Sequence, residues 1–433
     1  MLMKKTVASI FCALAVYGAS AQQPWTLERC IDYAIENNID VRSSRLEQYQ
    51  GELAVTEAKD RFLPSASAYA QQSFSFGRGL TSDNTYADRN TSGFGVGAQL
   101  NLPVFQGLSA IRQLEYSRSS LRALVEQTEA AKDDVTLNVI GQYLQALYAG
   151  ELLQVARERE GISARELERR RTLFEAGRIA ELEIYEAEAQ LASDRLAVVQ
   201  AQNDSTVAVL DLAQLLNLPH TEAFAIEPLA DEMMPLVSPE TVFANALRTN
   251  HSVLAGELQQ EAAQRNVSLA QTGYIPTLSL SAGLSTNYYK TSGFANESFG
   301  SQMRHNFAQS IGISLNVPIF DAFSTRNNVR RARVNLESAR LRSEDTRNRL
   351  YKAIVQAYTQ ALGAEKKLES ARTAAESSKA AFEAMQIKYD NGRANATEFE
   401  QSKSNYTNAL AEAVQAKYER ILRARILAFY NKD

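Results

Sequence analysis

Few residues in this 433-residue chain combine a reactive type with a spacing that would let them act. The three histidines, His220, His251 and His305, are isolated, with no set of Asp, Glu or Cys ligands around them, and so describe no metal site. Two cysteines, Cys12 and Cys30, are too few for a zinc scaffold or a disulfide framework. Gly93, Gly95 and Gly97 resemble a phosphate-binding loop only superficially, because neither a lysine nor a helix start follows them. Arg169-Arg170-Arg171 lies among Glu166, Glu168 and Glu175, the mixture expected of a solvated helix surface. Enzyme chemistry has no visible home, and no cofactor or metal is implied.

Composition narrows the remaining classes. With 46 Lys+Arg against 50 Asp+Glu, the chain lacks the basic surplus of a nucleic-acid partner. An apolar content of 45% argues against intrinsic disorder. Residues 1–21 read as a signal peptide: Lys4 and Lys5 precede the largely apolar run Val7 to Val16, and Ala19-Ser20-Ala21 offers small residues for cleavage before Gln22. That run is too short to cross a bilayer, which takes ~20 residues. A lipid anchor on Cys12 is the weaker reading, since the pattern of small residues around a lipidated cysteine is missing. Cys30 alone remains in the mature chain, so no intrachain disulfide can form there. No later stretch is apolar for roughly 18 residues, so any membrane insertion must use strands.

Repetition organises the rest. Ala34-Ile35-Glu36-Asn37-Asn38 reappears as Ala246-Leu247-Arg248-Thr249-Asn250, and Phe62-Leu63-Pro64 as Tyr274-Ile275-Pro276. Further on, Asn101-Leu102-Pro103-Val104-Phe105 matches Asn316-Val317-Pro318-Ile319-Phe320, and Phe174 with Gly177-Arg178 matches Tyr389 with Gly392-Arg393. A period this long marks a duplicated half, here residues 22–238 and 239–433, and not a solenoid unit.

Proline is absent between Pro103 and Pro219 and after Pro318, leaving two stretches of 115 residues that can stay helical. Residues 109–174 and 324–389 predict helices of ~100 Å each at 1.5 Å per residue. Gly177 and Gly392 suit the left-handed residue just past a helix end. Return helices are expected over 180–216 and 397–430, the second with Thr397 and Glu400 at capping-box spacing. Apolar positions recur at three and four residues without a clean heptad, so a plain coiled-coil spacer stays open as the bland alternative.

Strand material counts against that spacer. Strands are expected over about 65–76, 92–103, 277–288 and 307–318, each alternating apolar with small or polar residues, as in Phe94, Val96, Ala98 and Leu100 against Gly93, Gly95, Gly97 and Gln99. Each is long enough for a tilted membrane strand of ~9–11 residues. Polar loops, 77–90 and 289–306, join them. Four strands cannot close a barrel, and an open edge in lipid leaves backbone groups unpaired at several kcal/mol each, so closure requires an oligomer. A soluble sandwich with Ser-rich faces is the competing arrangement.

Together these features resemble the TolC family of outer-membrane efflux proteins over essentially the whole mature chain. The residues that carry the resemblance are the two-fold repeat, Leu63-Pro64 entering a strand, the Leu-Asn-x-Pro-x-Phe exit at Leu100 to Phe105 with its counterpart at Leu315 to Phe320, and the aromatic-x-x-Gly tips at Phe174 and Tyr389. The resemblance implies a mainly α fold with a β-barrel contribution: a homotrimer whose twelve strands close one barrel in outer-membrane lipid, continued by a twelve-helix α-barrel through the periplasm. A small mixed region is implied over Asn217 to Glu240 with the termini. It further implies a passive duct in a Gram-negative envelope, fed by a periplasmic adaptor and an inner-membrane pump of RND or ABC type. A non-channel, adhesin-like surface protein is the alternative from another class, and large insertions in the two outer loops would have favoured it.

The family docks its adaptor at the helical tips, which correspond here to Gly177, Arg178, Gly392 and Arg393. Simple helix termination is an equally good role for the glycines, and pairing with a nearby acid is the competing role for the arginines. Family members narrow the tunnel with acids at the tip. Glu183 and Glu398 lie six residues past the tip glycines, while Gln401 stands where a further acid is usual. By the same analogy Tyr389 is expected to latch onto Glu183 across the hairpins, with ordinary solvated helix charges as the bland alternative.

Overall fold

The computed structural model describes residues 24–80, 84–219, 224–229 and 235–431. The expected signal peptide and cleavage site, Cys12 and His220 lie outside the described residues, as do parts of the region expected to be mixed. The elements in chain order are α1 (Leu27–Asn37), α2 (Ile39–Asp60), β1 (Ser65–Ser75), β2 (Arg78–Leu80), β3 (Tyr86–Asp88), β4 (Thr91–Phe105), α3 (Ser109–Glu175) and α4 (Glu181–Leu215). The second half has α5 (Pro239–Thr249), α6 (His251–Gln271), β5 (Thr277–Thr291), α7 (Phe299–His305), β6 (Ala308–Asn316), α8 (Ser324–Asp390) and α9 (Ala396–Tyr430).

The duplication is written into the backbone. α1 and α5 are both 11 residues, α3 and α8 both 67, and α4 and α9 both 35. Thr26 and Ser238 cap α1 and α5 by accepting backbone N–H groups of Arg29 and Thr241. Between sheet and long helix the chain makes the same two-residue left-handed turn twice, at Gly107 (φ 60°) and Leu108 (φ 67°), and at Ala322 (φ 52°) and Phe323 (φ 61°). Only the first of these four residues is a glycine, so the second copy holds both of its positions against the usual steric penalty.

Two compact units can be described separately. The first takes in the residues up to Arg45, Gln127–Ser252 and Thr346–Asp433. Its core gathers Cys30, Val139, Tyr143, Leu212, Leu216 and Ile421, all buried. The Tyr143 hydroxyl lies 2.6 Å from the carbonyl of Glu227 and 2.9 Å from that of Trp25, next to a parallel bridge between Trp25 and Ile226. This bridge is the regular structure described between Asn217 and Glu240 before α5 begins.

The second unit, Leu46–Glu126 with Val253–Asp345, holds an open antiparallel sheet in the order β1-β4-β5-β6. Alternation gives it one polar face of Ser, Gly, Asn and Tyr and one apolar face of Val96, Ala98, Leu284, Ile311 and Ile313. Glycine on the polar face serves packing: a Cβ at Gly97 would stand 2.8 Å from the Tyr69 ring opposite it. Away from α7 the apolar face is uncovered, with Ile311 82% and Ile313 75% exposed.

Several boundaries differ from expectation for identifiable reasons. β4 passes Pro103 through a register shift, since proline has no N–H to donate to the ladder. The capping box of α9 is Asn395 with Glu398, not Thr397 with Glu400: Asn395 Oδ1 accepts Glu398 N–H at 2.8 Å and Glu398 Oε2 accepts Asn395 N–H at 3.0 Å. The stretch 289–306 is not all loop, because β5 runs on to Thr291 and α7 follows. Beyond Ser285, β5 loses β6 as a neighbour, and three side-chain amides take its place. Asn306 donates to Asn287 O, Gln302 accepts from Tyr289 N–H and donates to its carbonyl, and Asn296 does the same at Thr291.

Candidate functional site: the helical tips

Both long hairpins turn in the same way. Gly177 (φ 70°) and Gly392 (φ 68°) follow the last helical turns. Gly177 N–H donates to Phe174 O and Arg178 N–H to Leu173 O, while Gly392 N–H donates to Tyr389 O and Arg393 N–H to Lys388 O. This double bond pattern closes a helix C-terminus and needs a left-handed residue at the glycine. Arg178 and Arg393 are exposed, and among the described residues neither makes an ion pair.

Behind the turns the hairpins are joined through α3. Tyr389 is buried, stacked on Phe399 at 4.7 Å on one face and covered by the Arg169 guanidinium at 4.2 Å. Held in this way, its hydroxyl meets Glu166 Oε1 at 2.5 Å. The hydroxyl expected to meet Glu183 therefore bonds Glu166 instead. The Glu183 backbone carbonyl accepts from Arg170 at 2.9 Å. Glu398 spends its carboxylate on the α9 cap.

Of the arginine run only Arg171 lies at the solvated surface. Arg169 donates to the Tyr389 carbonyl at 2.8 Å and stands 3.4 Å from Asp390, tying α3 to α8. Arg170, 4% exposed, pairs with Glu166 at 2.8 Å, and Arg171 pairs with Glu188 of α4 at 2.8 Å. Burial pushes the Tyr389 hydroxyl above its ordinary range and the Glu166 carboxylate adds to that shift. Burial works to lower the Arg170 guanidinium, but Glu166 and Tyr389 outweigh it and hold it charged.

A second polar knot lies further along the helices. Lys403 of α9 and Asp194 of α4 are each 1% exposed and 3.4 Å apart. Ser163 of α3 bridges them, accepting from Lys403 at 2.8 Å and donating to Asp194 at 2.5 Å. Arg159 stands 2.7 Å from Asp194 and Glu400 2.6 Å from Lys403, which neutralises the buried charges locally. Burial works to raise the Asp194 carboxyl, but the Ser163 and Gln190 hydrogen bonds with Lys403 and Arg159 win and lower it. Beyond it, Tyr406 donates to Glu158 and Tyr418 to Glu151. These contacts tie α9 to α3 and α4.

The family model for the outer membrane efflux protein matches residues 30–218 and 242–429, both halves of the duplication. The chain belongs to the outer membrane efflux protein family. Among similar members, the outer membrane protein TolC of Escherichia coli K12 is 24% identical, the match spanning 96% of this chain and 84% of that protein. TolC of Vibrio cholerae is 24% identical over 97% and 93%. In fold, the Campylobacter jejuni CmeC outer membrane channel superposes with a TM-score of 0.78 at 18% identity, covering 94% of this chain and 85% of that one. This outer membrane efflux protein is accordingly a mainly helical chain with the architecture of the family's channels, and it resides in the outer membrane of a Gram-negative cell.

Glu166, Arg169, Arg170, Ser163, Asp194 and Lys403 were not among the residues that the sequence singled out for the tip. A signal existed: Glu166 and Arg170 sit four apart on one helix face, and Lys403 interrupts the apolar face of Phe399, Tyr406 and Leu410.

Proposed function

We propose that this protein is the exit duct of a tripartite efflux or secretion system, a homotrimer that crosses the outer membrane as a twelve-stranded barrel and continues as a twelve-helix tunnel through the periplasm. The observation that carries the proposal is the open sheet. β1 and β6 each have one strand neighbour among the described residues, and the apolar face is exposed to a degree that a water-soluble chain would not sustain. Three copies joined β6 to β1 pair every edge and turn the apolar face to lipid and the polar face to a water-filled lumen. Residues 22–238 and 239–433 supply two strands and one long hairpin each, and residues 1–21 direct export.

Transport through such a duct is passive, with energy supplied by an inner-membrane pump of RND or ABC type. A periplasmic adaptor docks at Gly177, Arg178, Gly392 and Arg393, where the unpaired arginines meet acids on the partner. Tyr389 and Glu166 form the closing latch, with Glu183 and Glu398 among the acids of the entrance. The test is native mass after extraction of an outer-membrane fraction in detergent, followed by conductance in a planar bilayer. A mass of three chains with ion conductance supports the duct, and a water-soluble monomer would sink it.

A further inference from the structure

We propose that α7 is a docking element for outer-leaflet lipid, with Phe299 at the acyl boundary and Arg304 and Lys290 reaching anionic headgroup phosphates. The proposal rests on the barrel reading above, in which the apolar sheet face meets lipid. α7 lies at one end of that face. Phe94 and Tyr288 are directly opposed on β4 and β5, and Phe299 packs on both, with ring centroids 5.7 and 5.1 Å away. Thr286, next on the same face, donates to Met303 O at 2.6 Å. Below this aromatic group the face continues as Val96, Ala98, Leu284, Leu100 and Ala282. The helix is thus placed where the apolar band ends.

Sealing the strand edge explains only part of this design. Asn296, Gln302 and Asn306 complete the backbone bonds of β5, and that task needs neither an aromatic residue at 299 nor a cation at 304. Phe299 stays 50% exposed despite its two ring contacts, and Phe294 and Phe307 flank it at 55% and 52%. Arg304 is exposed, and Lys290, two residues past Tyr288 on the same face of β5, is exposed as well. Among the described residues neither makes an ion pair. The nearby acid, Glu297, is engaged by Ser301 at 3.0 Å and His305 at 3.5 Å. Aromatic rings beside apolar surface with free cations just beyond fit a bilayer interface, where rings settle at headgroup depth and cations meet phosphate.

The test uses the full-length protein in vesicles with brominated acyl chains, which quench tryptophan on contact. Phe299→Trp and Val96→Trp are compared with the unmodified protein, whose single Trp25 supplies the background. Both variants are expected to lose emission, and Phe299→Trp is expected to lose more when the brominated lipid is phosphatidylglycerol than when it is phosphatidylcholine. Adding Arg304→Gln and Lys290→Gln should abolish that preference. Quenching at Val96→Trp without quenching at Phe299→Trp overturns the docking element and leaves the barrel standing. Equal quenching by both lipids overturns the recognition of anionic headgroups by Arg304 and Lys290. If Val96→Trp is not quenched either, the barrel reading itself fails.

Discussion

The Tyr389 hydroxyl and the Glu166 carboxylate, 223 positions apart in the chain, meet at 2.5 Å with Arg170 bonded to the same Glu166 oxygen at 2.8 Å. The contact joins the end of α8 to α3 and so couples the two hairpins at the level of their turns. Its energy is set by charge assistance, and a hydrogen bond to a buried charged group is worth about 1.5–3 kcal/mol.

Removing that bond should loosen the tip. Tyr389→Phe keeps the ring stack and deletes only the donor, so the resting conductance of single channels in a bilayer should rise. Glu183→Gln should not reproduce that rise, because the Tyr389 hydroxyl bonds Glu166. An effect of Glu183→Gln equal to that of Tyr389→Phe would count against Glu166 as the latch partner.

Breaking the second knot should be costly in a diagnostic way. Lys403→Met leaves the buried Asp194 with Arg159 as its remaining cation, so the loss should stay below the about 3–5 kcal/mol of a buried charge left wholly unpaired. Pairing Lys403→Met with Asp194→Leu should restore much of the loss. Thermal midpoints of the detergent-solubilised protein read the difference, and equal losses in the single and double variants would show that the pair contributes little.

Stability should fall at both ends of the pH scale. The Asp194 carboxyl is lowered in the folded chain, so its contribution is complete above the unfolded value of about 3.9 and is lost as pH falls through the folded value. Burial and then Glu158 push the Tyr406 hydroxyl up to about 12, so stability is lost as pH rises from the unfolded value of about 10 toward it. Tyr406→Phe should flatten the alkaline limb of a midpoint-against-pH curve and leave the acid limb alone.

The left-handed residues give a pair of opposite signs. Gly177→Ala or Gly392→Ala meets no neighbouring atom, yet φ near 70° should still cost about 1–2 kcal/mol through the backbone alone. Ala322→Gly should release a similar strain at φ 52° and raise the thermal midpoint. A midpoint lowered by Ala322→Gly would mean that the methyl group packs to better effect than the backbone suffers.

The family, the mainly helical character and the outer-membrane location were legible because they depend on local or periodic features. A stretch without proline that is rich in Ala, Leu, Arg and Glu has little choice but helix, and period-two alternation declares a sheet with two unlike faces. The repeat also made the two tip glycines recognisable, since a left-handed residue after a helix is a local demand. The tip arginines, the acids at 183 and 398 and Tyr389 were singled out by position in the family pattern, and position could not say which acid the tyrosine meets.

Sequence alone determined the kinds of element, their order and their duplication, because each of these is settled within a few turns of helix or along one strand. Only the tertiary structure decided that Tyr389 bonds Glu166, that Arg169 ties α3 to α8 while Arg171 pairs within its own hairpin, and that Lys403 and Asp194 share a buried site. These pairings depend on the rotational register of one long helix against another. Contacts separated by some 220 residues are set by packing, where one helical position turns a side chain by about 100° and exchanges one partner for the next.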